Sequence, residues 1–528
     1  MKKFRSILIG GLSLVSLVCL TSCNLSNIKD RIISTINSNS KDDDSPLFPN
    51  NPGYDFLDPE YVELQEEDDG TAGYRIDQYD VKRSQDYVNV KSNGEQKILV
   101  IPCAFNDYPS TSMEKSEAQI LNDIDTLFFK EASDTNYWES VSSYYEKASY
   151  GNLKITGMVT SFFDIGKSVE EVAALTRYSD PTYYVLRKAI EWAKVQYGED
   201  TIKQFDNDKD GYIDGVWLIY SSKYYATNTV NSFIKTPSKS AQDILWAYTY
   251  WDYEYIPNVD SPVANCYAWG SYYFMYDGTS NGVDAHTFIH ETGHMLGLED
   301  YYDYDSTTLT RLSPTGSLDM MDNNIGDHCV FSKYLLGWVK PKLITSKGEY
   351  VLESFTETGQ CLLIPSSEKN FSYSPYDEYL LIEFYTPTGL NDLDSKNKYC
   401  GSYPKMFSTE GIRIYHVDNR LAYVDMKNKQ FYYTNIFDDS KVTNQTYYSN
   451  LSSNTSSRSI EDDIKLVTLL SATGKNNYYK NSSADNDDLF KNNSSLSEFT
   501  FNNKENLNFS INIEITGIFT KKATVTIS

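Results

Sequence analysis

The chain has 528 residues, 40% of them hydrophobic, with 47 Lys and Arg set against 73 Asp and Glu for a formal charge of −26. So acidic a balance excludes recognition of nucleic acid as the basis of function and reads as a solvated exterior. The length exceeds what one hydrophobic core usually supports, so two or more packed units are expected.

The N-terminus opens with basic Lys2, Lys3 and Arg5, runs through apolar residues from Ile7 to Leu20 and reaches small residues before Cys23. That pattern is an export signal, and its apolar run is too short to span a bilayer comfortably. Leu20-Thr21-Ser22-Cys23 resembles the bacterial lipobox, which predicts removal of residues 1–22 and a lipid on Cys23. The expected location is extracytoplasmic, as a cell-surface lipoprotein anchored to the membrane; the alternative is a soluble secreted product. Residues 23–94 are polar, with the run Lys41-Asp42-Asp43-Asp44-Ser45-Pro46, and read as a flexible tether or a propeptide-like segment.

Order is expected from Lys97-Ile98-Leu99-Val100-Ile101-Pro102, an apolar run that fits a buried strand. Helical periods follow at Glu117–Phe129, Tyr137–Ala148 and Tyr184–Tyr197, and a second buried strand at Gly215–Tyr220. Strands alternating with helices predict an α/β (α+β) catalytic domain over residues 95–345. Residues 346–528 change to strand-like runs at Glu378–Tyr385, Ile412–Val417, Ile464–Leu470, Phe509–Ile515 and Ala523–Ile527, predicting a mostly antiparallel β region. Asn444–Arg458 and Lys475–Asn493 are rich in Ser and Asn and read as surface loops. Cys103, Cys266, Cys329, Cys361 and Cys400 are scattered without CxxC spacing, which suits neither a metal cluster nor a disulfide framework.

Between the two predicted strands, Asp206-Asn207-Asp208-Lys209-Asp210-Gly211-Tyr212-Ile213-Asp214 puts carboxylates at positions 1, 3, 5 and 9 of an EF-hand-like loop, with Gly at position 6. Hard oxygen ligands at that spacing favour calcium. Trp217 stands where the bidentate glutamate belongs, so the expectation is a structural site completed from elsewhere, against an ion-free acidic turn.

The most specific segment is His290-Glu291-Thr292-Gly293-His294. Four residues of helix separate side chains by about 40° around the axis and about 6 Å along it, so both imidazoles face one way and can grip one zinc ion. Glu291 then faces the open coordination site, as the base that takes a proton from the attacking water and passes it to the leaving amine. Gly297 can end the helix in a left-handed turn, bringing Asp300 back as the third ligand in the pattern HExxHxxGxxD. Asp303 and Asp305 are the alternatives, and the next glutamate after Glu299 is Glu349, too late to serve. Apolar Phe288, Ile289, Met295, Leu296 and Leu298 flank the motif as a buried helix requires. His286, one turn before His290, lacks a base between the pair and reads either as a residue supporting the metal ligands from behind or as a packing residue; His328 and His416 receive no role.

These residues resemble the immune inhibitor A-like secreted metallopeptidases, of the metzincin type of zinc protease, from about Lys97 to near the C-terminus. The resemblance implies a metzincin-like catalytic domain with a twisted sheet and an active-site helix. It implies zinc on His290, His294 and Asp300, Glu291 as base, and a methionine turn at Ser317–Asn323 with Met321 in the key place. Ser140–Gly157, Phe331–Pro341 and Gly411–Asp418 look like further landmarks, whereas Asn323 stands where some metzincins carry a tyrosine. The expected activity is hydrolysis of extracellular proteins or peptides. A surface adhesin that keeps a protease-like fold without turnover, and a zinc hydrolase of non-peptide substrates, are the competing expectations. If residues 24–94 act as an inhibitory propeptide, they hold no cysteine to cap the zinc.

Overall fold

A computed structural model describes Tyr74–Arg75 and most residues from 90 to 528. The internal exceptions are 136–137, 179, 227–231, 253, 278–281, 305–312, 368–370, 372–374, 400–402, 426–429, 435–445, 451, 456–463, 476–482 and 518–520. The signal segment, Cys23 and nearly all of the expected tether lie outside the described residues. No described helix is long and apolar enough to cross a membrane.

The fold is mixed α/β with several sheets. Two compact units divide between Glu299 and Asp300, the second also taking Tyr74–Arg75. The change in sequence pattern suggested a division near 345 instead. Residues 300–345 cluster with the C-terminal sheets because Lys342–Leu343 pairs with Cys361–Pro365 and Tyr74–Arg75 pairs with Lys342–Leu343.

In the first unit the central strand Gly94–Ala104 is flanked by Leu153–Val159 and Val216–Tyr220, followed outward by Cys266–Ser271 and then by Tyr248–Trp251 at the edge. The inner pairings are parallel and the edge pairing is antiparallel. Ile98 to Ala104 is buried without alternation, as parallel strands covered on both faces require.

Helix Glu117–Phe129 begins where Ser116 and Gln119 form a reciprocal capping box, and it buries Ile120, Ile124, Leu127 and Phe128. Helix Val141–Ala148 starts four residues after the expected point because the Ser140 hydroxyl accepts from the Ser143 N–H and sets the first turn there. Tyr183–Tyr197 follows its apolar period closely and stops at Gly198, whose φ is +92°. Phe128, Trp217 and Phe288 meet with ring centroids 5.0–5.7 Å apart. This cluster joins a helix, the central sheet and the helix His286–Met295, and each Phe so buried contributes about 1.5–3 kcal/mol.

The second unit is built on antiparallel pairing. Its main sheet runs Tyr74–Arg75, Lys342–Leu343, Cys361–Pro365, Glu378–Tyr385, Gly411–Asp418, Val467–Leu470, and only the pairing of the second with the third is parallel. A second sheet orders Gly348–Leu352, Lys522–Ile527, Ile511–Thr516 and Ser495–Leu496. Leu362, Ile364, Leu380, Ile382, Ile414, Ile511 and Val525, drawn from both sheets, share one apolar core.

The expected surface loops need correction. Asn444–Arg458 contains the strand Thr446–Asn450, antiparallel to Leu421–Asp425, and its Ser452 to Thr455 are fully buried. Lys475–Asn493 buries Leu489 and Phe490, and Phe490 exchanges backbone hydrogen bonds of 2.8 and 3.0 Å with Ile412. Polar composition misleads here because buried Ser and Asn are acceptable wherever their hydrogen bonds are satisfied.

Candidate metal centre

The helix His286–Met295 carries the HExxH segment, and all ten of its residues are buried. It ends as the glycine predicts: Gly297 takes φ +99°, its N–H reaches the His294 carbonyl at 2.9 Å, and the Leu298 N–H reaches the Gly293 carbonyl at 3.1 Å. That pair of bonds is a Schellman termination, which reverses the chain and satisfies carbonyls the helix would otherwise orphan.

The same reversal orients a histidine. His294 Nδ1 lies 2.9 Å from the Leu298 carbonyl oxygen. A carbonyl only accepts, so Nδ1 carries the proton and the Nε2 lone pair is left to point inward. There it meets His290 Nε2 at 3.1 Å, with the two rings at 88°. Two nitrogens bound at 2.0–2.1 Å to one tetrahedral ion sit roughly 3.3 Å apart, so these imidazoles hold a chelating separation.

One ligand atom each from His290, His294 and Asp300 lies within 4.8 Å of the others, and all three residues are buried. Two imidazoles and a carboxylate are a donor set suited to zinc. The Tyr304 hydroxyl donates to Asp300 Oδ2 at 2.5 Å, steering that carboxylate from behind. Asp303 is buried but does not join the group, and Asp305 lies outside the described residues.

Glu291 is 6% exposed, and the Thr249 hydroxyl lies 2.8 Å from its carbonyl oxygen and 3.2 Å from its Oε2. Thr249 belongs to the antiparallel edge strand, paired with Ala268. The helix is held from three other sides. Tyr145 Oη donates to the Ile289 carbonyl at 2.6 Å, Trp217 Nε1 to Thr292 Oγ1 at 3.2 Å, and the Val90 N–H to the Met295 carbonyl at 2.9 Å. Burial, reinforced by the charge of Glu291, pushes the Tyr145 phenol well up from its usual range, so it remains a donor.

His286 packs as expected: its Nδ1 is 2.8 Å from Asp284 Oδ1 and its ring stacks on Trp138 at 4.0 Å. His416 pairs with Glu378 at 2.9 Å inside the second unit.

Met321 lies in the single helical turn Met320–Asn323, which Asp319 caps by accepting from the Met321 N–H at 2.8 Å. Met320 and Met321 are both fully buried, and the Met321 carbonyl accepts from the Tyr301 N–H at 2.8 Å.

In the acidic loop Asp206, Asp208 and Asp210 bring one carboxylate oxygen each within 4.8 Å. Asp206 accepts from the Asp210 and Gly211 N–H groups at 3.0 and 3.1 Å, and position 211 suits glycine twice over: its φ is +93°, and a Cβ there would meet Asn258 N at 2.7 Å. Asp214 stands outside this group. Its Oδ2 accepts from the Asn207 N–H at 2.5 Å and from Asn207 Nδ2 at 3.0 Å, and burial pushes its carboxyl up to about 7.

Cys103, Cys266, Cys329 and Cys361 are free, buried thiols.

No protein-family model matches this chain, and no curated protein matches it in sequence.

The residues missed by sequence reasoning are Thr249 and Tyr304. Thr249 lies within a strand of Tyr and Trp with no motif around it, and Tyr304 is one of several tyrosines in the run after Asp300. Neither carries a local signal; only the folded arrangement brings them to Glu291 and Asp300.

Proposed function

We propose that this chain is a zinc-dependent endopeptidase of the metzincin type, held outside the cell by a lipid on Cys23, and that it hydrolyses extracellular proteins or peptides. The single observation that supports it best is the pair of Nε2 atoms 3.1 Å apart with the Asp300 carboxylate beside them.

His290, His294 and Asp300 would hold the ion. When bound, it supplies a Lewis acid and lowers the pKa of water to about 7. Glu291 takes the proton of the attacking water and delivers it to the departing amine, so that a good leaving group forms without a free proton in solution. Thr249 holds the Glu291 carboxylate for both transfers, and the buried helix keeps bulk water from competing for it. In the same proposal, Asp206, Asp208 and Asp210 hold a structural calcium ion with a further ligand from elsewhere.

The test uses the full exported protein on casein or gelatin, with and without a zinc chelator, beside Glu291→Ala. Chelator-sensitive cleavage that falls at least ~100-fold in the variant supports the endopeptidase. A zinc-loaded, folded wild-type protein that cleaves neither substrate would point to a binding protein instead.

A further inference from the structure

The residue beside the third ligand is fastened at three polar points, each fully buried and each within the second unit. The Tyr301 N–H donates to the Met321 carbonyl at 2.8 Å, and its phenol shares a 2.7 Å hydrogen bond with Ser332 Oγ. Its carbonyl accepts from Asn454 Nδ2 at 3.1 Å. Tyr301, Ser332 and Asn454 all have no exposed surface. Neighbouring backbone bonded on both its N–H and C=O sides has little freedom to rotate, so the direction in which Asp300 leaves the chain is set here.

Each fastening point is itself secured. Asp319 accepts from the Met321 N–H at 2.8 Å and from the Cys329 N–H at 2.9 Å, tying the methionine turn to the helix Val330–Leu335 that carries Ser332. The first N–H of that helix donates to Glu383 Oε2 at 2.9 Å, and Glu383 is paired with the buried Arg413. Asn454 spends its whole amide: Nδ2 also donates to the Val467 carbonyl at 2.9 Å, while Oδ1 accepts from the Val467 N–H at 3.1 Å. It is thus bonded to the strand Val467–Leu470 of the main sheet on one side and to Tyr301 on the other.

We infer that Asn454 is a positioning residue for the metal centre, fixing Asp300 through Tyr301 from 154 positions further along the sequence. The inference rests on zinc being held by His290, His294 and Asp300. An Asn at this place is suited to the task because it presents two donors and an acceptor with no charge to bury.

The experiment compares wild type, Asn454→Ala and Tyr301→Phe, each as the full exported chain. The last removes only the tie to Ser332 and preserves both backbone bonds. Zinc affinity is measured by chelator competition, the Co²⁺-substituted proteins are compared by their visible absorption, and melting of the metal-free forms reports folding. Expected are a loss of zinc affinity of about 10-fold or more in Asn454→Ala, a smaller loss in Tyr301→Phe, and a changed Co²⁺ spectrum in both. Should Asn454→Ala fail to fold, the Tyr301→Phe affinity and spectrum decide the matter alone. Variants that melt lower yet keep wild-type zinc affinity and Co²⁺ spectrum overturn the inference and leave a purely structural role. A wild-type protein that binds no zinc at all overturns the metal-site proposal itself, a different outcome from the first.

Discussion

The Thr249 hydroxyl, on the edge strand of the first sheet, lies 3.2 Å from Glu291 Oε2 and 2.8 Å from the carbonyl oxygen of the same residue. One hydroxyl proton serves two acceptors, so the side chain ties the Glu291 carboxylate, the proposed acid–base group, to the backbone that carries it. A hydrogen bond to a charged group contributes about 1.5–3 kcal/mol. Thr249→Val should therefore lower kcat roughly 10- to 100-fold with KM and zinc content unchanged, and Thr249→Ser should restore most of it. Equal kcat in Val and wild-type proteins would remove Thr249 from the mechanism.

Tyr304 donates to Asp300 Oδ2 at 2.5 Å. Partners behind a metal ligand fix its orientation, and their loss typically costs about 10- to 100-fold in metal affinity. Tyr304→Phe should weaken zinc binding by about that factor, read by chelator competition, while Tyr302→Phe in the same loop serves as the control. If the two variants bind zinc equally, the phenol does not orient the carboxylate.

Much of this centre could be read from residue types alone. The helix, its Gly297 stop and the grouping of His290, His294 and Asp300 follow from local rules: side-chain spacing in a helix and the left-handed freedom of glycine. The buried strands at Ile98–Pro102 and Val216–Tyr220 and the C-terminal strand Glu378–Tyr385 were legible for the same reason, since continuous or alternating apolar runs have few alternatives. Asn454 was not legible, because its burial depends on donors and acceptors of Tyr301 and Val467, far away in sequence. Spacing also puts Asp214 at a ligand position, whereas in the fold it stands apart from the group of Asp206, Asp208 and Asp210, with its Oδ2 accepting from Asn207. The unit division at Glu299–Asp300 follows strand pairing across long separations, which composition does not carry.

Gly157 pairs with Ile98 in the parallel sheet, and a Cβ built on it would lie 2.0 Å from the Ile98 carbonyl oxygen and 2.7 Å from Phe129 Cζ. The ring could shift, but the carbonyl belongs to the central strand and cannot. Gly157→Ala should thus destabilise the first unit by about 3 kcal/mol, the upper end of the range for overpacking. Denaturant melts of the two proteins measure this, and a loss below about 1 kcal/mol would mean that the strands separate more easily than their burial suggests.

Asp277 gives a pH-dependent prediction away from the proposed metal ligands. Burial pushes its carboxyl up to about 6; the Tyr224 hydroxyl bonds it and pulls the other way, and the charge of Asp284 adds to the rise. An unfolded aspartate titrates near ~3.9. Between about pH 4 and 6 the folded state therefore holds more protons than the unfolded one, so stability falls as pH rises through that window and levels off above it. An asparagine in place of Asp277 would keep an acceptor for Tyr224 with no charge to desolvate. Asp277→Asn should match wild type near pH 4 and exceed it at pH 7 by about 1–2 kcal/mol, a value reduced from the full shift because the side chain is only partly buried. Urea melts of both proteins at pH 4 and 7 test it: a difference that does not grow with pH shows that folding leaves the Asp277 carboxyl where an unfolded chain has it.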